Sequence, residues 1–232
     1  MTELTREQLD ELGGLQSCAV ANAIETFDLR PRNEGFMLPD VKCMFPELGG
    51  MIGYAVTGVI EANRPATDRM QVSRLDWVDE ILKVPEPRVI VLHDLDSPNP
   101  VGSFWGEVQS NVHRALGCVG TVTDGGVRDL DEMRALNFRA FASQALVSHA
   151  YVHLVDANVP VTVGGLTVNP GDLVLGDQHG VTSIPREIAS EVSAAVKRIE
   201  GEELEMIDVC QDPDFTVDKL KAMIQQRYYP KG

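Results

Sequence analysis

No run in this chain approaches the roughly 20 consecutive apolar residues that a membrane-crossing helix requires, so nothing in it reads as a span. Basic charge is scarce. Lys and Arg total 20 against 35 Asp and Glu, leaving a net charge of −15. Nucleic acids and anionic membrane surfaces both demand clustered cations, so neither is expected as a partner. A small anionic ligand must be held locally, by a metal or a placed arginine, against the field of the whole molecule. Cysteine is sparse and scattered: Cys18, Cys43, Cys118 and Cys210 form no C-x-x-C pair and no tight framework. Free thiols in a reducing compartment are the simplest reading, with Cys118 a small buried hydrophobe. The opening "MTELTREQLDEL" is charged and polar, unlike a secretory leader. A soluble, cytoplasmic protein is the expectation. A phosphate-loop spacing is also missing, and the glycines of "GGLTVNPGD" serve turns.

What is present suffices for one large core: 232 residues with 44% apolar content. Residues 5–30 read as helical with a glycine break, Ser17 being the N-cap of the second piece. "PDVKCMFPELGG" is loop-like, and "MIGYAVTGVIEA" is rich enough in β-branched residues to form a strand. "DRMQVSRLDWVDEIL" carries Met70, Val72, Leu75, Trp77, Val78, Ile81 and Leu82 on a helical stripe. "RVIVLHDL" is a short apolar strand of the kind buried in a parallel sheet. "SFWGEVQSNVHRALG" reads as a helix with Val108, Val112, Ala115 and Leu116 on one face. "CVGTVT" is the next strand and "LDEMRAL" a short helix, so residues 88–136 spell strand, helix, strand, helix. That order is a parallel βαβ arrangement. From 138 onward short β runs alternate with Gly, Pro and Asn turns, before helices near 186–205 and 216–227. The fold class is α/β: one mixed domain over 1–232, with a parallel βαβ core, a β-rich layer and helical termini.

The chemistry gathers where strands end. Glu107 lies in the first turn of the helix that follows the 88–95 strand. The twenty residues 108–127 separate it from Arg128 and Asp129, just beyond the carboxyl end of the next strand. Helix plus return strand account for that gap, so all three should meet at one sheet edge, where open α/β sheets bind ligands. Free amides from Gly106 through Gln109 can hold an oxygen anion, and Arg128 offers a planar fork. Asp129 and Glu107 offer hard oxygens for Mg2+ or Mn2+, direct or through water. A purely structural reading competes. Asp129 with Glu132 fits an acidic capping box, and Glu107 would merely favour its helix dipole.

"FWGEVQSNVHRALGCVGTVTDGGVRDLDE" resembles the core motif of the RraA-like family, an acidic residue, twenty residues, then Arg-Asp. "VPVTVGGLTVNPGDLVLGDQHGVTSIP" resembles that family's other recurrent stretch, and the likeness covers roughly residues 50–205. The family includes class II 4-hydroxy-4-methyl-2-oxoglutarate/4-carboxy-4-hydroxy-2-oxoadipate aldolases. The resemblance implies a swivelling β/β/α fold and a trimer, or a hexamer of trimers, with sites near subunit boundaries. It implies Asp129 as the ligand of a divalent metal and Arg128 as the group that binds the pyruvyl part and stabilises its enolate. Gly106, Glu107, Val108 and Gln109 would contact substrate, Glu107 also holding water on the metal. The activity implied is cleavage of a carbon–carbon bond in a small 2-oxo di- or tricarboxylate to release pyruvate, with oxaloacetate decarboxylation as a side reaction. Two departures bear on the substrate: no "PGDN"-like segment stands near "RPATDRMQVSRLDW", and Glu107 occupies a position that is often Asp. Some family members are instead regulators that bind and inhibit a ribonuclease, which is the rival expectation. A methyltransferase name often attached to such sequences finds no glycine-rich methyl-donor site here.

Lesser candidates remain. His149 and His153, four apart, would ligate a metal if helical. The cluster His93, Asp94 and Asp96 follows a strand and approaches the same edge. His179 suits a turn, and Trp105 either walls the pocket or packs beneath it.

Overall fold

A computed structural model describes residues 4–67 and 71–229. Two short helices, α1 (Arg6–Gly13) and α2 (Ser17–Glu25), precede β1 (Lys42–Cys43) and the long β2 (Met51–Glu61). The centre of the chain alternates: α3 (Arg74–Leu82), β3 (Arg88–Asp94), β4 (Ser103–Trp105), α4 (Glu107–Ala115), β5 (Cys118–Thr123), β6 (Gly126–Val127) and α5 (Leu130–Ala135). A β-rich stretch follows: β7 (Arg139–Ala142), β8 (Gln144–Ala145), β9 (His153–Ala157), β10 (Val161–Val163), β11 (Leu166–Val168), β12 (Leu173–Asp177) and β13 (Gly180–Ile184). The chain then enters α6 (Ala189–Gln211) and α7 (Val217–Tyr228). No described helix is long and apolar enough to cross a membrane.

The main sheet runs β1-β7-β5-β3-β2-β12-β13, with β9 also paired to β2. Strands β2, β3, β5 and β7 are mutually parallel, whereas β1, β9, β12 and β13 join antiparallel. The expected parallel βαβ core is therefore present, flanked by hairpin strands. Strand β3 shows why the sheet is covered on both faces. Val89 and Val91 enter one apolar cluster with Val161, Val163 and Val168 of the β10–β11 hairpin. Ile90 and Leu92 enter the other, with Trp77, Val192 and Val196 from the helices. Alternate residues point to opposite faces, so a continuous apolar strand needs a layer on each side. The result is a helix layer, a sheet and a β layer.

Several local expectations are corrected. Ser17 is the first helical residue and Gln16 holds the N-cap position; Ser17 instead donates its amide and hydroxyl to Asp177 at 2.7 Å each. Residues 103–105 form a strand rather than the start of a helix, because β4 pairs with β6 in a small parallel sheet β4-β6-β8. The expected apolar face of α4 is reversed. Val108 and Val112 are exposed, while Ser110 and His113 are buried. A histidine can be buried there because both ring nitrogens are satisfied, as described below. On the α3 stripe, Trp77 and Ile81 are buried but Leu75 and Leu82 are exposed; Met70 lies outside the described residues. The two-residue turn Gln178–His179 between β12 and β13 places His179 as expected.

Candidate active site

The sheet edge reached by the carboxyl ends of β3, β5 and β7 also carries the small sheet β4-β6-β8, and this small sheet builds the site. Pairing of β4 with β6 puts Trp105 opposite Val127. The next residue on each strand therefore meets its counterpart: Gly106, then Arg128. The Arg128 amide donates to the Trp105 carbonyl at 3.1 Å, which fixes that junction. Trp105 itself is fully buried, packed against Phe138 and His113 beneath the site.

Asp129 then departs from the cap geometry. Its backbone is left-handed, φ 52 and ψ 51, a region that Asp tolerates better than most residues. Its carboxylate makes no hydrogen bond to its own helix, so the capping-box alternative does not hold. Instead Oδ2 accepts the Glu107 amide at 3.0 Å, the first amide of α4. The Arg128 Nε lies 3.7 Å from the same oxygen. That is close enough for attraction and too far for a hydrogen bond, so the guanidinium fork stays open toward the cleft. Both side chains are about one-third exposed, at 35% and 36%.

Gly106 is required by space rather than by backbone angle. Its φ of −174 suits any residue, yet a Cβ there would sit 2.5 Å from Asp129 Oδ2 and 3.2 Å from Arg128 Nε. The missing side chain lets the carboxylate reach the helix end. Glu107 spends its amide on Asp129, so the amides of Val108 and Gln109, which have no helical acceptor at the start of α4, remain for a ligand.

These groups open on a cleft of about 360 Å³. Gly106, Val108, Gln109, Arg128 and Asp129 line it, together with Arg74, Phe104, His149 and Tyr151. The Glu107 carboxylate is exposed and is not among the lining groups. A second cavity of about 390 Å³ continues from it, sharing Arg74, Phe104, Val108, Gln109, Tyr151 and Val152. Sequence reading missed Arg74, since nothing local in "VSRLDW" distinguishes it from a solvated helix residue.

The helices lining the cleft are locked by Trp77 and His113. Trp77 Nε1 donates to His113 Nε2 at 2.9 Å, and His113 Nδ1 lies 2.7 Å from the Gln109 carbonyl. A carbonyl only accepts, so Nδ1 carries the hydrogen and Nε2 the lone pair. The ring is neutral, and burial pushes its pKa down to about 4 despite the Gln109 hydrogen bond.

The other sequence candidates lie elsewhere or take different roles. His149 and His153 are not helical, so they do not form the expected helical ligand pair. His149 lines the cleft; its Nδ1 lies 2.7 Å from the Ala150 carbonyl, leaving the lone pair on Nε2. His153 faces the adjoining cavity, with Nδ1 on the Tyr151 carbonyl at 3.0 Å. His93, Asp94 and Asp96 tie strand ends together and do not line the cleft. His93 Nδ1 meets Asp124 Oδ2 at 2.7 Å, and that hydrogen bond raises the His93 pKa against desolvation. Asp96 Oδ2 accepts the amides of Ala62 and Asn63 at 2.8 and 2.9 Å. Asp94 is buried with Oδ2 unpartnered among the described residues, and desolvation lifts its pKa to about 6. Cys118 is buried as expected, its thiol pushed up to about 12 by desolvation.

Among the described residues no group of three or more His, Cys, Asp or Glu converges to form a metal cage. The donor set at the cleft is one carboxylate with a second oxygen outside the Glu107 hydrogen bond. That suits Mg2+ or Mn2+, hard ions that accept one or two carboxylates and keep several waters, and it does not suit zinc.

The sheet edge of this layered α/β/β fold thus brings helix amides, an arginine fork and a lone carboxylate together. The chain belongs to the RraA-like family: the family model described as Aldolase/RraA matches residues 17–182, starting and ending earlier than the motif likeness. A relative from Halalkalibacterium halodurans, named "Putative 4-hydroxy-4-methyl-2-oxoglutarate aldolase", is 32% identical over 126 residues, 54% of this chain and 59% of that protein. The match thus spans little more than half of that relative's length. An uncharacterized protein from Pseudomonas syringae pv. tomato str. DC3000 superposes over 95% of both chains, with 23% identity and a TM-score of 0.72. Streptomyces coelicolor RraAS2, described as an unusual member of the RNase ES inhibitor RraA protein family, covers 90% of this chain and 98% of its own at 20% identity and a TM-score of 0.66. These two likenesses show the fold.

Proposed function

We propose that this cleft cleaves a carbon–carbon bond in a small 2-oxo acid and releases pyruvate, with oxaloacetate decarboxylation as a side reaction. The observation that carries the reading is the Arg128 fork, open beside an Asp129 carboxylate that is pinned to the α4 amide end. The aldolase name on the H. halodurans relative supports it. A divalent cation held by Asp129, with water completing its shell, would supply Lewis-acid polarisation of the 2-oxo group.

The chain's own groups do the rest. Arg128 binds the pyruvyl end and offers a fixed cation to the oxygen where negative charge develops. The amides of Val108 and Gln109 hold the substrate carboxylate. His149 Nε2, which carries the lone pair, takes the proton of the 4-hydroxyl. The C3–C4 bond then breaks, its electron pair passes to C3 and C2 as the pyruvate enolate, and C4 departs as a carbonyl. A water admitted to the open cleft returns a proton to C3, because the Glu107 carboxylate lies outside the lining and cannot hold it there. In oxaloacetate the same bond breaks and carbon dioxide departs, leaving the same enolate. No lysine lines the cleft among the described residues, so a Schiff base has no candidate there.

Assembly into a homotrimer or hexamer belongs to the same proposal, supported by Val108 and Tyr151, 71% and 60% exposed beside the cleft. Sedimentation showing only monomer at micromolar concentration would contradict it. The test of activity is pyruvate release from oxaloacetate and from 4-hydroxy-2-oxo acids, with Mg2+ and after EDTA. Release that EDTA abolishes and Mg2+ restores is the expected result. No release under any condition would remove the enzymatic reading and leave the ribonuclease-regulator reading, which has only the fold likeness behind it.

A further inference from the structure

Arg74 has no place in the chemistry above, yet it lines the cleft with Arg128. It is the first residue of α3, where a cation opposes the helix dipole, so helix stability does not explain it. The Trp77–His113 hydrogen bond sets its location. Arg74 lies three residues before Trp77, and Gln109 lies four before His113. Each pair therefore shares a helix face, and locking the later residues brings the earlier ones together one turn toward the amino ends of α3 and α4. Both line the same cleft.

Charge makes the position specific. In the cleft and the adjoining cavity, Arg74 and Arg128 are the only Lys or Arg side chains among the described residues. Arg74 forms no ion pair with any described residue. Much of the adjoining wall is apolar, built from Val72, Trp77, Phe104, Val112 and Leu154. A carboxylate entering there would lose its water without compensation unless a cation stood at the junction. Arg74 stands at that junction, belonging to both cavities. In a chain of net charge −15, a second arginine on the lining of the same cleft, exposed at its rim, suits a ligand with two anionic ends.

Resting on the proposed lyase reading, we infer that Arg74 is the specificity-determining residue for the substrate's distal carboxylate. Arg128 holds the pyruvyl end of a 2-oxo diacid, and Arg74 holds the carboxylate borne on C4. The diacid preference that the lyase reading already carries is thereby assigned to this one side chain.

The experiment compares wild type, Arg74→Gln and Arg74→Lys on two substrates: 4-hydroxy-2-oxoglutarate and 4-hydroxy-2-oxopentanoate, which carries a methyl in place of the distal carboxylate. Exchange of the pyruvate methyl protons in D2O is followed by NMR alongside, because it needs only the pyruvyl end. Wild type is expected to prefer the diacid. In Arg74→Gln that preference, as the ratio of kcat/KM values, should fall about ten- to hundredfold, the range for a lost hydrogen bond to a charged group. The loss should lie mainly in KM, pyruvate exchange should be unchanged, and Arg74→Lys should recover part of the preference. An unaltered ratio with intact exchange would return Arg74 to the surface and spare the lyase reading. An equal loss on both substrates and on exchange would make Arg74 a support for α3 and overturn its specificity role. Absence of pyruvate exchange and cleavage in wild type would remove the lyase reading and this inference with it.

Discussion

Asp129 begins α5, but its Oδ2 accepts the first amide of α4, that of Glu107, at 3.0 Å. One carboxylate thereby anchors the amide end of α4, and its second oxygen is the one that the proposed cation would use. Asp129→Asn keeps an oxygen for the amide and removes the charge. It should lower pyruvate release by at least about 10²-fold beyond rescue by added Mg2+, the scale of one lost electrostatic stabiliser. The melting temperature should stay near normal. Asp129→Ala should additionally cost about 1 kcal/mol of stability, as loss of a helix cap does. Denaturant unfolding beside steady-state kinetics separates the two effects; full turnover by Asp129→Asn would sink the metal role.

Gly106→Ala adds a single methyl at an angle that alanine adopts freely. The new Cβ would lie 2.5 Å from Asp129 Oδ2, so the carboxylate must move. Activity should fall at least about tenfold, since displacements on the order of 1 Å in a reacting constellation are costly, while stability drops by roughly 1–3 kcal/mol. Unchanged kinetics would mean that the close approach of Gly106 and Asp129 has no bearing on catalysis.

Arg128→Lys retains charge and loses the planar two-pronged donor. If Arg128 stabilises the developing oxyanion, kcat should drop about 10²- to 10³-fold, equivalent to roughly 3 to 4 kcal/mol. KM and the melting temperature should change little. A variant that is both active and stable would reduce Arg128 to an ordinary, partly exposed residue.

His113 makes stability depend on pH. Its folded pKa is lowered from 6.5 to about 4, so in acid the unfolded chain binds this proton first. The contribution is full above about pH 6.5 and is lost progressively as the pH falls toward 4. Trp77→Phe leaves Nε2 without its donor and should cost about 1–3 kcal/mol at neutral pH. Urea titrations between pH 4 and 7.5 on both proteins test this. A flat His113 contribution, judged against His113→Gln, would contradict the neutral buried ring.

The main-sheet strands and the helices between residues 88 and 136 were legible in the sequence because apolar alternation, glycine stops and proline breaks are local signals, whereas the short β4 and β6 were not. The twenty-residue interval also sufficed to bring the Glu107 backbone to Arg128 and Asp129, since one helix and its return strand have a fixed reach, but the Glu107 carboxylate stays outside the cleft. Tertiary structure decided what those signals leave open. The exposed Val108 and Val112 and the buried His113 reverse the apolar face of α4, because partners for both ring nitrogens offset the cost of burying a neutral histidine. Asp129 as a cap for α4 instead of its own helix, Ser17 as a donor to Asp177, and Arg74 in the cleft all depend on contacts between distant segments. Sequence periodicity reports which side of an element is apolar, but only packing determines which element lies against it.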